Sequence, residues 1–268
     1  MGMKSMTSFL KYSGNGNHFV LLDGFAGASA PTEADVRRLC DPIYGVGADG
    51  VAFIAPAEHA TEAFRFRLWN SDGGEAEMCG NAARIAAKHF MDGHAELNQV
   101  TFKTMNGIYT ATLEQGRLWL KMTEKSTQLN PDPALFREFE HWYVVNTGVP
   151  HLVLQVPDVQ AVDLMSTAPA WRYHGAFPRG TNVDFISVPD SQVPLVNLRV
   201  YERGVEGETW SCGTGVAAVA WACQQFFGWK ERVSIKTKGG EHQVRWDAQG
   251  ALWYSGDITL CFKGEAAL

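Results

Sequence analysis

Apolar residues follow two different periods along the chain, one typical of strands and one typical of helices. Every second residue is apolar in residues 64–68 and again in residues 198–200, which predicts a strand at each place. Each of these strands is followed, after a glycine-rich loop, by a helical stretch, at residues 81–91 and 214–227. A glycine lies just beyond each stretch and suits the end of a helix.

Further strands are predicted after each helix. Residues 108–122 and 243–254 each form two short apolar runs, which predicts hairpins with turns at Gln115-Gly116 and Gln249-Gly250. The second helix carries no charge and is apolar nearly all round, so we expect it to be buried. The pattern predicts an α+β fold with two pseudo-symmetric domains, each a curved, mostly antiparallel sheet or barrel around a central helix.

The two halves of the chain are related by an internal repeat. Five short segments recur in the same order at a spacing of 132 or 133 residues. The pairs are 18–20 with 151–153, 51–54 with 183–186, 66–68 with 198–200, 74–80 with 207–213, and 100–104 with 233–237. A repeat of this length is the size of one domain. The predicted domains are residues 1–128, completed by the tail 260–268, and residues 129–259, with the proline-rich stretch 130–133 as their linker.

Composition is that of a globular protein and narrows the choice of partners. The chain has 268 residues, 46% hydrophobic and 19% charged, with a net charge of −6. The negative charge disfavours nucleic acid, and neither a secretory leader nor an apolar run of membrane-spanning length is evident. Neither the five cysteines nor the eight histidines show disulfide-framework or metal-ligand spacing. We expect a cytoplasmic protein without a metal that acts on a small molecule, and a homodimer is compatible with the sequence.

Two of the five cysteines lie at the same step of the repeat. Cys79 and Cys212 each precede a glycine at a predicted helix start, where unpaired N–H groups and the helix dipole stabilise a thiolate. We therefore expect a lowered pKa for these thiols, and the same N–H groups suit a carboxylate. Two-fold pseudo-symmetry predicts that the two cysteines face one another, as a racemase requires, with one removing an α-proton while the other supplies one. The remaining cysteines, Cys40, Cys223 and Cys261, are assigned to packing.

Sequence blocks between residues 11 and 216 surround both cysteines. They are Gly-Asn-Gly-Asn-His-Phe-Val at 14–20, Asn-Ser-Asp-Gly-Gly-Glu at 70–75, Cys-Gly-Asn at 79–81, Gly-Val-Pro-His at 148–151, Asn-Val-Asp-Phe at 182–185, Tyr-Glu-Arg-Gly at 201–204, Gly-Glu-Thr at 207–209 and Cys-Gly-Thr-Gly at 212–215. Together these blocks resemble the diaminopimelate epimerase family. Proline-racemase-like enzymes, which share the two-cysteine arrangement, usually carry Cys-Gly-His at the first site.

The resemblance implies a function and a role for each matching residue. It implies interconversion of LL- and meso-diaminopimelate, a step toward lysine and cell-wall precursors, without pyridoxal phosphate or a metal. Cys79 and Cys212 would be the two acid–base residues, and the main-chain N–H groups of Gly80-Asn81 and Gly213-Thr214 would hold the carboxylate at the reacting carbon. The other implied roles are substrate binding by Asn17, Asn70, Asn182, Glu202 and Arg203, and tuning of the cysteines by His151 and Glu202.

Three positions depart from the family pattern. His18 replaces a usual aspartate, Gly50 a frequent glutamine and Val149 a frequent asparagine. The last two changes remove polar groups expected near the distal end of the substrate. A racemase of the same family for another amino acid, such as histidine, is therefore the first alternative. Alternatives from other classes are a thiol redox or sensor protein that uses the two paired cysteines and a binding protein without catalysis.

Overall fold

The computed structural model describes residues 6–122 and 127–268, and the chain divides into two compact units. The first unit comprises Met1–Lys121 with Ser255–Leu268, and the second comprises Met122–Tyr254. The C-terminal residues therefore return to the first unit. The proline-rich stretch 130–133 lies inside the second unit, so its predicted role as the linker between halves is wrong.

The first unit contains nine described strands and two helices. Its strands are β1 (Met6–Gly14), β2 (Asn17–Asp23), β3 (Gly50–Pro56), β4 (Phe64–Asn70), β5 (Glu75–Ala76), β6 (Gln99–Thr104), β7 (Gly107–Glu114), β8 (Arg117–Lys121) and, from the C-terminus, β18 (Ile258–Ala267). Its helices are α1 (Glu33–Cys40) and α2 (Gly80–Asp92). A capping box at Thr32 and Asp35 begins α1.

The second unit repeats this order of elements. Its strands are β9 (Thr127–Gln128), β10 (Trp142–Asn146), β11 (Pro150–Gln155), β12 (Asn182–Ser187), β13 (Leu195–Glu202), β14 (Gly207–Thr209), β15 (Arg232–Thr237), β16 (Gly240–Trp246) and β17 (Leu252–Gly256), the last of which continues two residues past Tyr254, where the unit ends. Its helices are α3 (Leu164–Arg172) and α4 (Gly213–Phe227), with short 3₁₀ helices at Pro133–Phe136 and Val159–Ala161.

Strand pairing in one unit matches strand pairing in the other. β2 and β3 are parallel, as are β11 and β12. β3 and β4 are antiparallel, as are β12 and β13. After a short strand and the central helix, β4 pairs in parallel with β6, and β13 pairs in parallel with β15. The predicted α+β fold, built as a repeat of sheets with few helices, is confirmed.

The turn predicted at Gln115-Gly116 is present, and a turn with the same backbone angles, which was not predicted, lies at Asn15-Gly16. Gln115 and Gly116 have φ angles of 50° and 76° between β7 and β8, and Asn15 and Gly16 have φ angles of 49° and 86° between β1 and β2. Two successive residues of positive φ form the tight turn whose twist matches that of the adjoining strands. The Asn15 turn carries the chain directly into Asn17, the first predicted binding residue.

Each unit encloses one central helix. α2 packs on β1, β3 and β8, whereas α4 packs on β10, β11, β12 and β16. The inner faces consist mainly of small residues, with Ala82, Ala83, Ala86 and Ala87 buried in α2 and an almost unbroken buried run from 215 to 220 in α4. Small side chains allow the sheet to come close to the helix backbone, and the expected burial of the second helix is confirmed.

Candidate active site

Cys79 is the N-cap of α2. Its backbone is extended, with φ −137° and ψ 121°, and the helix begins at Gly80. The Ala83 N–H donates to the Cys79 carbonyl at 2.9 Å, so the first turn of the helix is closed directly behind the cysteine. The residue is half-buried. Cys79 thus lies at the helix start that the sequence predicts, next to the N–H groups of the first turn.

A buried hydrogen-bond network fixes the residues around this helix start. Asn81 Nδ2 donates to Asn17 Oδ1 at 2.7 Å, which ties α2 to the first residue of β2. Arg84 Nη2 donates to Asn81 Oδ1 at 2.7 Å and to Asn15 Oδ1 at 2.8 Å. Because Arg84 is 0% exposed, its guanidinium is held firmly beneath the site. The structure therefore brings together two of the predicted binding residues, Asn17 and Asn81.

Asp49 orders the adjoining loop. Its Oδ2 accepts hydrogen bonds from Asn17 Nδ2 at 3.3 Å and from the His18 main-chain N–H at 2.8 Å. The His18 side chain is exposed and, with Arg37 and Asp41, lines a cavity of about 510 Å³ in the first unit. A cavity with charged residues in its lining therefore adjoins the Asn17 network.

The position of Gly50 leaves no room for a side chain. Gly50 pairs with Asn70 across β3 and β4, and a Cβ atom at position 50 would lie 2.4 Å from the Trp69 carbonyl oxygen. The close approach of the Trp69 carbonyl therefore accounts for the glycine at position 50, where many members of the family carry glutamine. Asn70 itself is exposed at the end of β4.

Cys212 is the N-cap of α4, with an extended backbone of φ −125° and ψ 111°. Val216 N–H donates to its carbonyl at 2.9 Å, the same closure as at the first cysteine. The residue is 7% exposed, and its Sγ lies 3.3 Å from Thr214 Oγ1. The second cysteine therefore repeats the geometry of the first, in a more deeply buried setting.

The pKa of Cys212 is raised well above its ordinary value, which contradicts the expected lowering. Burial is the main cause, followed by the nearby negative charges of Glu202 and Asp184. Hydrogen bonds from Thr214 and from the Gly215 main chain act in the opposite direction. Desolvation of a thiolate at this site outweighs the favourable helix end, so the resting sulfur carries its proton.

A buried histidine–carboxylate pair lies behind Cys212. His151 Nδ1 and Asp184 Oδ2 are 2.6 Å apart, and both side chains are 0% exposed. On its other side, His151 Nε2 lies 2.9 Å from Thr214 Oγ1 and 3.3 Å from Asn182 Nδ2. The structure thus brings His151, Asn182 and Thr214 together beside the second cysteine, as a cluster within one unit.

Glu202 is the last residue of strand β13, and Arg203 follows it. Burial raises the pKa of Glu202 above its ordinary value. The Arg203 main-chain N–H donates to Asn182 Oδ1 at 2.8 Å, which links this strand end to β12. Arg203 Nη1 donates to the Arg179 carbonyl at 3.1 Å, which leaves the other guanidinium N–H groups for further partners.

Three residues of this geometry are not evident in the sequence pattern. Asp184 interrupts the otherwise largely apolar run of β12, and Arg84 interrupts the small, apolar inner face of α2. A charged residue within a buried element is a signal of function or of a specific partner. Asp49 carries no such signal, because it lies in a loop where aspartate is common.

Within residues 6–122 and 127–268, no cluster of three or more His, Cys, Asp or Glu side chains is arranged to hold a metal ion. No helix in the same part of the chain is both long and apolar enough to cross a bilayer.

Solved structures with different names share the fold of this chain. A PhzF-family phenazine biosynthesis protein of Bacillus anthracis superposes with a TM-score of 0.71 over 98% of this chain and 100% of its own, at 14% identity. A hydroxyproline epimerase of Agrobacterium vitis gives a TM-score of 0.63 over 100% of this chain and 94% of its own, at 16% identity. These likenesses show the fold class of the chain.

Sequence comparison identifies the family within that class. The family profile described as diaminopimelate epimerase matches residues 9–127 and 143–261. Proteins named diaminopimelate epimerase from Methanocella arvoryzae and Acinetobacter baumannii are 37% and 32% identical to the chain, over 96% and 98% of it and 95% and 98% of their own lengths. The chain belongs to the diaminopimelate epimerase family. The resemblance and the prediction of an isomerase are confirmed.

Proposed function

We propose that this protein interconverts LL- and meso-diaminopimelate, with Cys79 and Cys212 as the two acid–base residues. The observation that carries the proposal is that both cysteines are N-caps of the central helices, at equivalent steps of a duplicated unit. A racemase needs one such group on each face of the α-carbon. Neither pyridoxal phosphate nor a metal takes part in the proposed reaction.

The proposed reaction is a redox-neutral exchange of protons. One thiolate removes the α-proton as the C–H electron pair passes into the carboxylate, and the other thiol delivers its proton to the opposite face of the carbon. The N–H groups at Gly80-Asn81 and Gly213-Thr214 suit the negative charge that develops on the carboxylate. The raised pKa of Cys212 supports this cysteine as the proton donor of the resting enzyme.

The distal end of the substrate requires partners for a second amino-acid group. Arg203 suits a carboxylate by paired hydrogen bonds, and Glu202 suits an ammonium group, whose charge would bring the raised pKa of Glu202 down. Amide side chains supply the remaining donors and acceptors, and they are Asn17, Asn70 and Asn182. These roles are proposals for the residues that match the family motifs.

A racemase for a different amino acid is the second candidate function. Position 50 has no room for a side chain, because a Cβ atom there would lie 2.4 Å from the Trp69 carbonyl. Val149 likewise presents a hydrocarbon where relatives of the family often have an amide. Both changes reduce the number of polar groups for the distal end, and a smaller or less polar substrate such as histidine tolerates that loss.

Solvent deuterium exchange over a panel of amino acids distinguishes these two functions. The purified protein, with no added cofactor, is incubated in D₂O with diaminopimelate, histidine, proline or glutamate, and the α-deuterium is measured by mass spectrometry. We expect exchange with diaminopimelate and at least tenfold slower exchange with the others. Exchange confined to another amino acid would replace the substrate while retaining the reaction.

Alanine variants of the two cysteines test the two-base chemistry. Cys79→Ala and Cys212→Ala are each expected to lower racemisation by at least about a hundredfold, because each removes one proton carrier. Cys261→Ala is the matched control, since this exposed cysteine lies outside both helix starts. Wild-type turnover in either of the first two variants would contradict the scheme.

The state of the cysteines bears on the proposed location of the protein. All five cysteines are thiols rather than disulfides, which supports a reducing, cytoplasmic compartment as the place of action. The partners proposed are a small amino-acid substrate and a second copy of the chain. A redox sensor that uses the two paired cysteines is the rival from another class. Reversible oxidation of these cysteines, with no exchange of the α-hydrogen of any amino acid in the panel, would favour it.

A further inference from the structure

The cluster behind Cys212 contains a chain of polar atoms that reaches the sulfur from a buried carboxylate. Successive contacts join Asp184 Oδ2 to His151 Nδ1 at 2.6 Å, His151 Nε2 to Thr214 Oγ1 at 2.9 Å, and Thr214 Oγ1 to Cys212 Sγ at 3.3 Å. We propose that Asp184 is a positioning residue that acts through His151 on the Thr214 hydroxyl and so sets the hydrogen bond which that hydroxyl makes with Cys212. The proposal rests on the proposed function of Cys212 as an acid–base residue.

The tautomer of His151 follows from its partners. An ionised carboxylate can only accept, so Asp184 Oδ2 requires the proton on Nδ1. Nε2 is then an acceptor, and it faces two donors, the Thr214 hydroxyl and the Asn182 amide at 3.3 Å. A histidine held in this tautomer always offers Thr214 an acceptor, whatever the state of the sulfur.

The Thr214 hydroxyl can serve both states of Cys212. When Cys212 is a thiol, its S–H donates to Thr214 Oγ1, and the hydroxyl donates to His151 Nε2. When Cys212 is a thiolate, the hydroxyl turns to donate to the sulfur, and Asn182 Nδ2 keeps Nε2 satisfied. Apart from the proton on the sulfur, the two arrangements differ by the rotation of one O–H bond, so the sulfur, the hydroxyl and Nε2 each keep a partner in both states.

Close packing at the start of α4 holds the series of polar atoms from Asp184 to Cys212 in place. A Cβ atom at Gly215 would lie 2.9 Å from Asp184 Oδ1 and 3.4 Å from both Cys212 Cβ and His151 Cε1. Asp184 Oδ1 is buried and has no hydrogen-bond partner among the described residues, so the carboxylate is held by His151 and by this close packing. Such a costly buried charge is retained where it positions something else.

The other unit carries no equivalent arrangement. By the repeat, Asp184 corresponds to Ala52 and Thr214 corresponds to Asn81. Asn81 is held instead by the buried cation Arg84. The hydroxyl relay is therefore confined to the deeply buried cysteine, whose sulfur lies near the charged groups Glu202 and Asp184, with His151 beyond the Thr214 hydroxyl.

Thiol labelling tests the relay without any substrate. Iodoacetamide labelling of Cys212 is followed against pH by peptide mass spectrometry, with Cys79 in the same molecule as the reference. In Thr214→Val the sulfur loses a donor, so the labelling midpoint is expected to move to higher pH. In Asp184→Asn a nearby negative charge is removed, so the midpoint is expected to move to lower pH. Thr214→Ser keeps the hydroxyl and is expected to match wild type.

The double variant Asp184→Asn/Thr214→Val separates a relay from a through-space charge effect. If Asp184 acts through the Thr214 hydroxyl, the shift caused by Asp184→Asn changes when the hydroxyl is absent. Additive shifts of the labelling midpoint would overturn the proposal. So would shifts no larger than those of two control variants. The controls are Asp190→Asn, in an exposed turn, and Thr237→Val, whose hydroxyl donates within its own hairpin.

Kinetics give a second readout. Thr214→Val keeps the main-chain N–H proposed for carboxylate binding, so kcat is expected to fall by roughly tenfold to a hundredfold with a smaller change in KM. A wild-type kcat in this variant would overturn the relay. The two proposals fail separately: full activity in Cys212→Ala contradicts the proposed function, whereas absent coupling in the labelling experiment contradicts the relay alone.

Discussion

Glu202 illustrates how burial sets the charge of a single residue in this protein. Its carboxyl group lies beside Cys212, and burial raises its pKa above the ordinary value of 4.5. The folded protein therefore binds a proton here more tightly than the unfolded chain does. The stability that this proton contributes is fully present below pH 4.5 and is lost as the pH rises through the folded-state pKa.

Glu202→Gln removes this titration. The free energy of unfolding of the variant, minus that of wild type, is expected to increase from about pH 4.5 upward and to become constant above the folded-state pKa, because only wild type pays for a buried charge there. Each pKa unit corresponds to about 1.4 kcal/mol. Urea unfolding at a series of pH values measures the difference. Glu231→Gln, at an exposed position, is the control, and a variant curve parallel to wild type would contradict the prediction.

Some functional residues could be predicted from the sequence because their immediate neighbours mark them. Others could not, because their roles depend on contacts with residues far away in the sequence. Cys79 and Cys212 are predictable because each is marked by its immediate neighbours, a following glycine and a helix start. Asp184 and Arg84 acquire their roles from contacts with residues far away in sequence, His151 and Asn15, and no local pattern encodes those distances. The pKa of Cys212 was predicted in the wrong direction for the same reason, since its desolvation comes from distant packing.

At the scale of elements, the two central helices begin alike and end differently. α2 ends at Gly93 in a right-handed helical conformation with φ −82°, whereas α4 ends at Gly228 in the left-handed conformation with φ 70°. Gly228 N–H donates to the Gln224 carbonyl at 3.1 Å, a regular left-handed cap. Only the second helix end depends on glycine for its backbone angles.

Alanine at each helix end tests that difference. Gly228→Ala is expected to lower the free energy of unfolding by about 1 kcal/mol, since a Cβ atom there meets nothing and the cost is that of positive φ alone. Gly93→Ala is the matched control, because φ −82° suits alanine, and it is expected to be neutral or stabilising by up to about 1 kcal/mol. Equal effects in urea unfolding would contradict this account.

The limits of the two predicted helices are correct to within one residue, whereas α1, α3 and the strand partners were not predicted. The stretches predicted as 81–91 and 214–227 are α2 at Gly80–Asp92 and α4 at Gly213–Phe227. Helix ends are marked locally by glycine and by the loss of the apolar period. β4 pairs in parallel with β6, although α2 lies between them in the sequence. This pairing is determined by the assembled sheet and is marked by no local sequence pattern.

For the whole molecule, the repeat predicted the architecture, and the sequence blocks around the two cysteines indicated the family. Segments spaced by 132 or 133 residues in the sequence occupy equivalent strands, such as β3 with β12 and β6 with β15. The family profile likewise matches two segments, 9–127 and 143–261. The duplication could be recognised in the sequence because equivalent positions in the two copies have similar packing and similar roles, and therefore keep the same residue types.

The C-terminal strand shows how far the first unit depends on distant sequence. β18 pairs with β1 from Met6↔Ala267 to Gly14↔Ile258. Phe9 on β1 belongs to the core of the first unit and makes an edge contact with Phe262, their ring centroids 6.1 Å apart. Gly264 lies so close to Phe9 that a Cβ atom would be 2.7 Å from the ring. The last ten or so residues therefore cover a strand edge and one side of a core cluster.

Truncation after Asp257 tests this dependence. Removing β18 leaves the hydrogen-bonding edge of β1 unpaired along its length and exposes Phe9, and a domain is stable by only about 5–15 kcal/mol. We expect the truncated chain to lose cooperative thermal unfolding of the first unit, together with racemase activity, because the Asn15–Asn17 turn follows β1 directly. Deletion of Leu268 alone is the control, because it leaves the whole β1–β18 pairing intact and removes only one partly buried contact with the core cluster, and it is expected to have a much smaller effect than removal of β18. A truncated protein with wild-type melting temperature and near-ultraviolet circular dichroism would show that β18 is dispensable to the unit that carries Cys79.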